Sequence, residues 1–415
     1  MNVLSTAIKS PHPLRIETHK PKAARPFHVL SKPIGPLCNL DCEYCFYLDK
    51  TEYYPGQNRF DMTDAALETH VKNYIDSQPL GCKEVVFGWQ GGEPTMRGIE
   101  FFERAVAFQK KHSRRGMVIS NTIQTNGVLI DERWACFLKE NDFLVGVSLD
   151  GDEALHDHFR KTRSGKGSYK QVVRGLKTLL KYGVETNVLT VVQSDNAQYP
   201  QRVYEHITSL GVQFIQFIPV VEAEKGIGIS HRSVSAEQFG RFMIEVFDVW
   251  RKRDLGRVFV SHFDNALGMV LGMPSTNCVH SPQCGENLVT EHNGDVYSCD
   301  HFVYPEFKLG NLNRRDYPDL IETPVQQSFA KRKPVGTALH CVNCSQRDLC
   351  HGACPAQRID EVGELSITAK HRLCEGYFEF FSHIRPYFKA MGACLKRGWS
   401  PVHYVRFLPS DKRTS

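Results

Sequence analysis

Cys38-Asn39-Leu40-Asp41-Cys42-Glu43-Tyr44-Cys45 sets three thiols on one short loop, directly after the strand-like run Phe27 to Lys32. A structural zinc site closes with four ligands, and iron–sulfur clusters are usually held by four cysteines, so three leave one metal position open. On a four-iron cluster the open iron can bind a small molecule. A zinc knuckle that borrows a fourth ligand is the competing reading. Downstream, strand-like Val85 to Trp89, Val118 to Gln124, Phe143 to Ser148, Glu185 to Val192 and Val212 to Ile218 alternate with helical runs. Those runs are Thr63 to Ser77, Ile99 to Lys111, Asp131 to Glu140, Ser168 to Tyr182 and Gln198 to Leu210, with apolar residues three and four apart. Such strand–helix units in series predict an α/β protein with a parallel sheet and functional loops at the carboxyl ends of its strands. Eight units would close a barrel, so six predict an open, partial (β/α)6 barrel with something covering its open side.

Composition points the same way. Fourteen cysteines among 415 residues is a high count for a chain with no signal-peptide-like start and no long apolar run. We therefore expect a cytoplasmic protein, no membrane, and metal or redox chemistry instead of disulfides. The charge, 51 basic minus 46 acidic residues or +5, is spread along the chain and makes no case for nucleic acid. Cys82, Cys136 and Cys394 stand apart and read as small buried apolar residues.

The organisation expected is an N-terminal arm over 1–26, the barrel over 27–255, a cysteine-rich, metal-stapled region over 256–376, and a C-terminal helix and tail over 377–415. Asn293-Gly294-Asp295 predicts a hairpin turn between Leu288 to His292 and Val296 to Ser298. Ser168 with Gln171, and Ser235 with Gln238, predict capping boxes. Tyr377 to Ala390 predicts an aromatic-rich helix interrupted at Pro386.

The C-x3-C-x2-C spacing, with Tyr44 before the third cysteine and Phe46-Tyr47 after it, resembles the signature of radical S-adenosylmethionine (SAM) enzymes. The resemblance implies a six-unit partial barrel in which Cys38, Cys42 and Cys45 hold a [4Fe-4S] cluster. The open iron of that cluster chelates SAM, which is cleaved reductively to a 5′-deoxyadenosyl radical. Gly91-Gly92-Glu93-Pro94 resembles the motif that meets the methionine amino group, and Tyr44 falls within the same cofactor site. Ser148 would touch the ribose, Arg160 the SAM carboxylate, and Val221 the adenine region. Asp150, Asp152, His156 and His158 could alternatively be drawn as a metal site.

Cys284-x9-Gly294-x4-Cys299, Cys341-x2-Cys344-x5-Cys350-x3-Cys354 and Cys374 resemble the SPASM extension of peptide-modifying radical SAM enzymes. With Cys278 there are enough cysteines for two auxiliary [4Fe-4S] clusters, or for two zinc sites. The family's interleaving implies Cys278, Cys284, Cys299 and Cys354 for one, and Cys341, Cys344, Cys350 and Cys374 for the other. Asp300, directly after Cys299, matches the proton-accepting Asp of anaerobic sulfatase-maturating enzymes. Gln90, Gln124 to Gly127 and Lys308 to Asn311 match further runs of that family. The activity implied is oxidation of a Cys or Ser side chain in an unfolded sulfatase precursor to Cα-formylglycine, fed by a flavodoxin- or ferredoxin-type donor. Rival readings are a SPASM-type maturase that forms thioether or carbon–carbon crosslinks, and a zinc-stapled scaffold without catalysis.

Overall fold

The computed structural model describes residues 22–409 and residue 412. Most of the expected arm, residues 1–21, therefore lies outside the described residues. The rest of the arm runs along the end of helix Asp64–Ser77, where Ala23 N donates to Ser77 O at 2.9 Å.

The six expected strands form as β1 (His28–Lys32), β2 (Glu84–Trp89), β3 (Val118–Thr125), β4 (Phe143–Ser148), β5 (Thr186–Val192) and β6 (Phe214–Pro219), adjacent and parallel in that order. Helices Asp64–Ser77, Ile99–His112, Glu132–Glu140, Tyr169–Lys181 and Pro200–Ser209 follow the first five. Their starts are chemically marked: Thr63 accepts from Ala66 N and Asp131 from Trp134 N. Apolar side chains such as Leu67, Val71, Phe102, Leu138, Leu176 and Ile207 are fully or almost fully buried between helices and sheet. That burial is the driving force that holds the two layers together.

The sheet is wider than six strands. β7 (Phe259–Val260) joins β6 in parallel, and β8 (Asn287–Glu291) joins β1 in parallel, with His28 opposite Asn287 and Lys32 opposite Glu291. β9 (Asp295–Tyr297) and β10 (Lys308–Asn311) then add in antiparallel fashion. β8 and β9 are the two arms of the expected hairpin, turned at Gly294 with φ 84°. The sheet runs in an open row from β7 to β10, so it does not close.

Three local expectations are corrected. Of the isolated cysteines only Cys394 is buried; Cys82 is half-buried, and Cys136 is exposed because helix Glu132–Glu140 buries Trp134, Ala135, Phe137 and Leu138 instead. Ser168 makes no cap hydrogen bond; its hydroxyl instead donates to Arg160 O at 2.7 Å and lies 3.0 Å from His156 Nε2. A buried imidazole and the Arg160 carbonyl outcompete the local cap. Pro386 does not interrupt its helix, which runs unbroken from Cys374 to Leu395. Tyr377 and Phe388 dock on Phe239 and Phe247 of helix Ala236–Arg253, and this packing outweighs the roughly 3 kcal/mol an internal proline costs. The two helices touch at Gly240 and Gly376, where a Cβ on Gly376 would lie 2.0 Å from Ala236 O. The capping box of Ser235 and Gln238 forms in full. Among the described residues no helix is long and apolar enough to cross a membrane.

Candidate active site

The loop after β1 carries the three thiols and is held by backbone pairing. Leu40–Cys42 pairs antiparallel with Arg160–Thr162, setting Cys42 opposite Arg160, and Cys45 N donates to Cys42 O at 3.0 Å. Cys38, Cys42 and Cys45 are all partly buried and sense one another electrostatically. Burial pushes the Cys38 thiol up to about 12 and Cys42 to about 11, the latter against the pull of Arg160. Metal ligation needs thiolates, so this site calls for a group carrying its own positive charge.

Ligand spacing bears on which group fits. A tetrahedral zinc with bonds of about 2.3 Å would hold its thiolates about 3.8 Å apart. Among the described residues no three His, Cys, Asp or Glu side chains are gathered as a single metal ion would need. A four-iron cube with one iron under each thiolate would spread its ligands wider, and an ungathered set of three is compatible with it. The alternative metal site at Asp150 and its neighbours is not assembled either. Asp152 caps helix Glu153–Phe159 and pairs with Arg202, while His158 lies 3.1 Å from Asp195.

Gly91-Gly92-Glu93 is zipped onto the cysteine loop. Gly92 N donates to Gly35 O and Glu93 N to Leu37 O, both at 2.8 Å. A Cβ on Gly92 would lie 1.8 Å from Leu37 O, so the loop closes only over a bare backbone. The Glu93 carboxylate, 1% exposed, accepts from Thr95 Oγ1, Thr125 Oγ1 at 2.7 Å and Asn126 N at 2.7 Å. It ties the carboxyl ends of β2 and β3 together, and Asn126 Nδ2 in turn donates to Asn39 Oδ1 at 2.7 Å. Gly92→Ala is therefore expected to dislodge the cysteine loop. If these three thiols hold a four-iron cluster, as the resemblance implies, about four irons per chain should be lost together with any SAM cleavage, and iron on the other cysteines should remain. Iron analysis beside deoxyadenosine assay checks this.

Ser148 closes β4 and its Oγ accepts from Gln124 Nε2 at 3.0 Å, on the inner face of the barrel. Asp150, two residues on, is a buried hub. It accepts from the Tyr44 hydroxyl, from Val191 N at 2.9 Å and from Arg160 Nε at 2.8 Å. Arg160 also lies over the Tyr44 ring and beside Cys42. Val221 is half-buried and follows Val220, which packs with Tyr44 and Phe159. Tyr44, Arg160 and Cys42 thus meet at one spot, with Asp150 beneath them.

Asp300 begins a short helical turn after β9 and meets Lys32 from the end of β1, Nζ to Oδ1 2.5 Å. Lys32 is 1% exposed and Asp300 20%, so the carboxylate alone faces the barrel mouth. Lys32 Nζ also donates to Gln90 Oε1 at 3.0 Å and sits 4.1 Å from the Tyr47 ring centre. The Tyr47 hydroxyl donates to the fully buried Glu291. Sequence reading passed over Lys32 and Glu291 as site residues, and took Tyr47 only as part of the cysteine signature. A signal existed for Lys32, which shares the inner face of β1 with Leu30 and closes the strand just before the functional loop.

The second set of cysteines falls into two groups in space. Cys278, Cys284, Cys299 and Cys354 sense one another, and so do Cys341, Cys344, Cys350 and Cys374. The latter four line a single small pocket together with Arg358, His371 and Phe378. Burial pushes Cys350 and Cys354 up to about 12. These sites, like the first, call for a positively charged metal core.

Residues 33–207 match the radical SAM superfamily, and residues 278–355 match the SPASM iron-sulfur cluster-binding domain. The chain is 38% identical over 400 residues to a serine-type anaerobic sulfatase-maturating enzyme of Bacteroides thetaiotaomicron, covering 93% of this chain and 96% of that one. It is 35% identical over 369 residues to a cysteine-type anaerobic sulfatase-maturating enzyme of Clostridium perfringens, covering 87% and 97%. A solved structure described as native anSMEcpe with bound AdoMet and Cp18Cys peptide superposes with a TM-score of 0.80 at 34% identity, over 89% of this chain and 99% of that one.

Proposed function

The chain belongs to the anaerobic sulfatase-maturating enzymes, radical SAM oxidoreductases with a SPASM extension, and we propose that it oxidises a Cys or Ser side chain of a sulfatase precursor to Cα-formylglycine. The observation that carries the reading is the meeting of Asp300, from the extension, with Lys32, from the first barrel strand, at the barrel mouth. The cofactors are SAM and three [4Fe-4S] clusters. We assign Cys38, Cys42 and Cys45 to the SAM-binding cluster, with Cys278, Cys284, Cys299, Cys354 and Cys341, Cys344, Cys350, Cys374 to the auxiliary pair. When bound, these groups supply hydrogen-atom removal from the target Cβ and a sink for one electron.

The protein's own work is placement and proton transfer. Asp300 takes the thiol or hydroxyl proton of the target as general base, which requires hydrogen-bond reach and partial exposure. Lys32 fixes the carboxylate, and Gln90 and the Tyr47 ring fix Lys32. Arg160, seated on Asp150, anchors the loop around Cys42 and presents its charge toward the SAM carboxylate. Ser148 serves the ribose and Val221 the adenine side. A Ser target loses two hydrogens and becomes the aldehyde directly. A Cys target becomes a thioaldehyde, which water converts to the aldehyde with release of sulfide.

Eleven cysteines committed to metal suit a reducing cytoplasm, where we place the protein with a flavodoxin- or ferredoxin-type electron donor. We divide the chain into an arm (1–26), barrel (27–255), auxiliary-cluster region (256–376) and C-terminal helix and tail (377–415). The direct test is mass spectrometry of sulfatase-motif peptides bearing Ser or Cys after anaerobic incubation with SAM and reductant. Loss of two mass units from the Ser peptide, or the same aldehyde from the Cys peptide, is expected. Crosslinked or unchanged peptides would rule the reading out.

A further inference from the structure

Two cations are buried in the auxiliary region without a carboxylate. Lys333, on helix Pro324–His340, is fully buried, and its Nζ donates to Cys278 O at 2.7 Å, Val279 O at 3.0 Å and Ser281 O at 2.8 Å. Arg358 is 1% exposed; its Nη2 donates to Gly352 O at 2.9 Å, its Nη1 to Ala369 O at 3.3 Å, and its Nε has no hydrogen-bond partner. Neither forms an ion pair with any acidic group among the described residues. Neutral carbonyls solvate an ammonium or guanidinium but do not balance its charge, and an unbalanced buried charge is strongly disfavoured.

Their locations supply the missing anions. Lys333 lies beside Cys278, Cys284 and Cys354; Arg358, on the wall of the other four-cysteine pocket, lies beside Cys341, Cys350 and Cys374 first and senses Cys354 and Cys284 more weakly. Four thiolates on a four-iron core carry a net negative charge, and one more electron deepens it. We infer that Lys333 and Arg358 are resident counter-cations of the two auxiliary clusters, one to each, and that each raises the reduction potential of its own cluster. This rests on the assignment of the eight cysteines to clusters. The sign follows from Coulomb attraction: a fixed positive charge favours the more negative, reduced state, and net charge is among the known determinants of cluster potential. Lys333 serves the cluster whose ligand Cys299 directly precedes Asp300, so its effect falls next to the proton acceptor.

The test is an anaerobic redox titration, followed by electron paramagnetic resonance, of the full-length reconstituted protein. In Lys333→Met, one of three one-electron waves should show a reduced-to-oxidised ratio about tenfold lower at fixed potential, equivalent to about 59 mV, with the other two unmoved. Arg358→Gln should shift a different wave by a similar amount and the Lys333-linked wave by less, while Arg358→Lys, which keeps the charge, should leave all three in place. Waves identical to wild type in both Lys333→Met and Arg358→Gln would overturn the inference. So would an Arg358→Lys shift as large as that of Arg358→Gln, and this pair decides alone if Lys333→Met fails to fold. A wild-type protein with about four irons would instead sink the cluster assignment itself.

Discussion

Asp300→Asn is expected to lower aldehyde formation by about 10²- to 10⁴-fold, the range a positioned general base contributes, while SAM cleavage to deoxyadenosine continues. The amide matches the carboxylate in shape but cannot accept the target's proton. The two readouts therefore separate: deoxyadenosine accumulates without matching product. The substitution also strips Lys32 of its carboxylate partner, while Gln90 and the Tyr47 ring stay in place. Breaking a buried pair costs about 3 kcal/mol at the low end, and the partial exposure of Asp300 keeps the cost near that end. Adding Lys32→Met should restore thermal stability without restoring the aldehyde. An Asp300→Asn enzyme that makes aldehyde at the wild-type rate would remove Asp300 from the mechanism.

Replacing Cys42 by Ala should have the larger effect. A cluster with three protein ligands has none to spare, and without it the protein's side chains contain no group able to remove a hydrogen atom from carbon. Deoxyadenosine and aldehyde should both fall by at least about 10⁶-fold, the lower end of enzymatic acceleration, which means below detection. About four of twelve irons should be lost. Leu40–Cys42 is held to Arg160–Thr162 by backbone, and Arg160 keeps Asp150, so the melting transition should move little. Retained deoxyadenosine formation in Cys42→Ala would refute the three-cysteine assignment, and the same holds for Cys38 and Cys45.

Periodic elements were legible because their signals are local. The five helices and six strands of the barrel form within two residues of the expected bounds, since apolar spacing and caps such as Thr63 and Asp131 act over one or two turns. Motif chemistry was legible wherever ligands cluster in sequence, as in residues 38–45. Distant partnerships were not. Nothing near Asn287 announces that β8 will lie parallel to His28–Lys32, and nothing near Ser168 announces His156 and Arg160. Buried charges were least legible of all. Lys32, Glu291, Lys333 and Arg358 read as ordinary solvated residues until their partners, contributed by remote segments, are in place.

The pairing of β8 with β1 has a consequence for how the protein is made. β8 starts 255 residues after β1 ends, 287 minus 32, and supplies one whole side of its backbone hydrogen bonds. At about 5–20 residues per second, a ribosome leaves that side bare for roughly 13–50 seconds. An unpaired strand edge is a template for joining a neighbouring nascent chain. A chain cut short before Asn287 is therefore expected to self-associate along its first strand more than the full-length chain, which light scattering of the two would show.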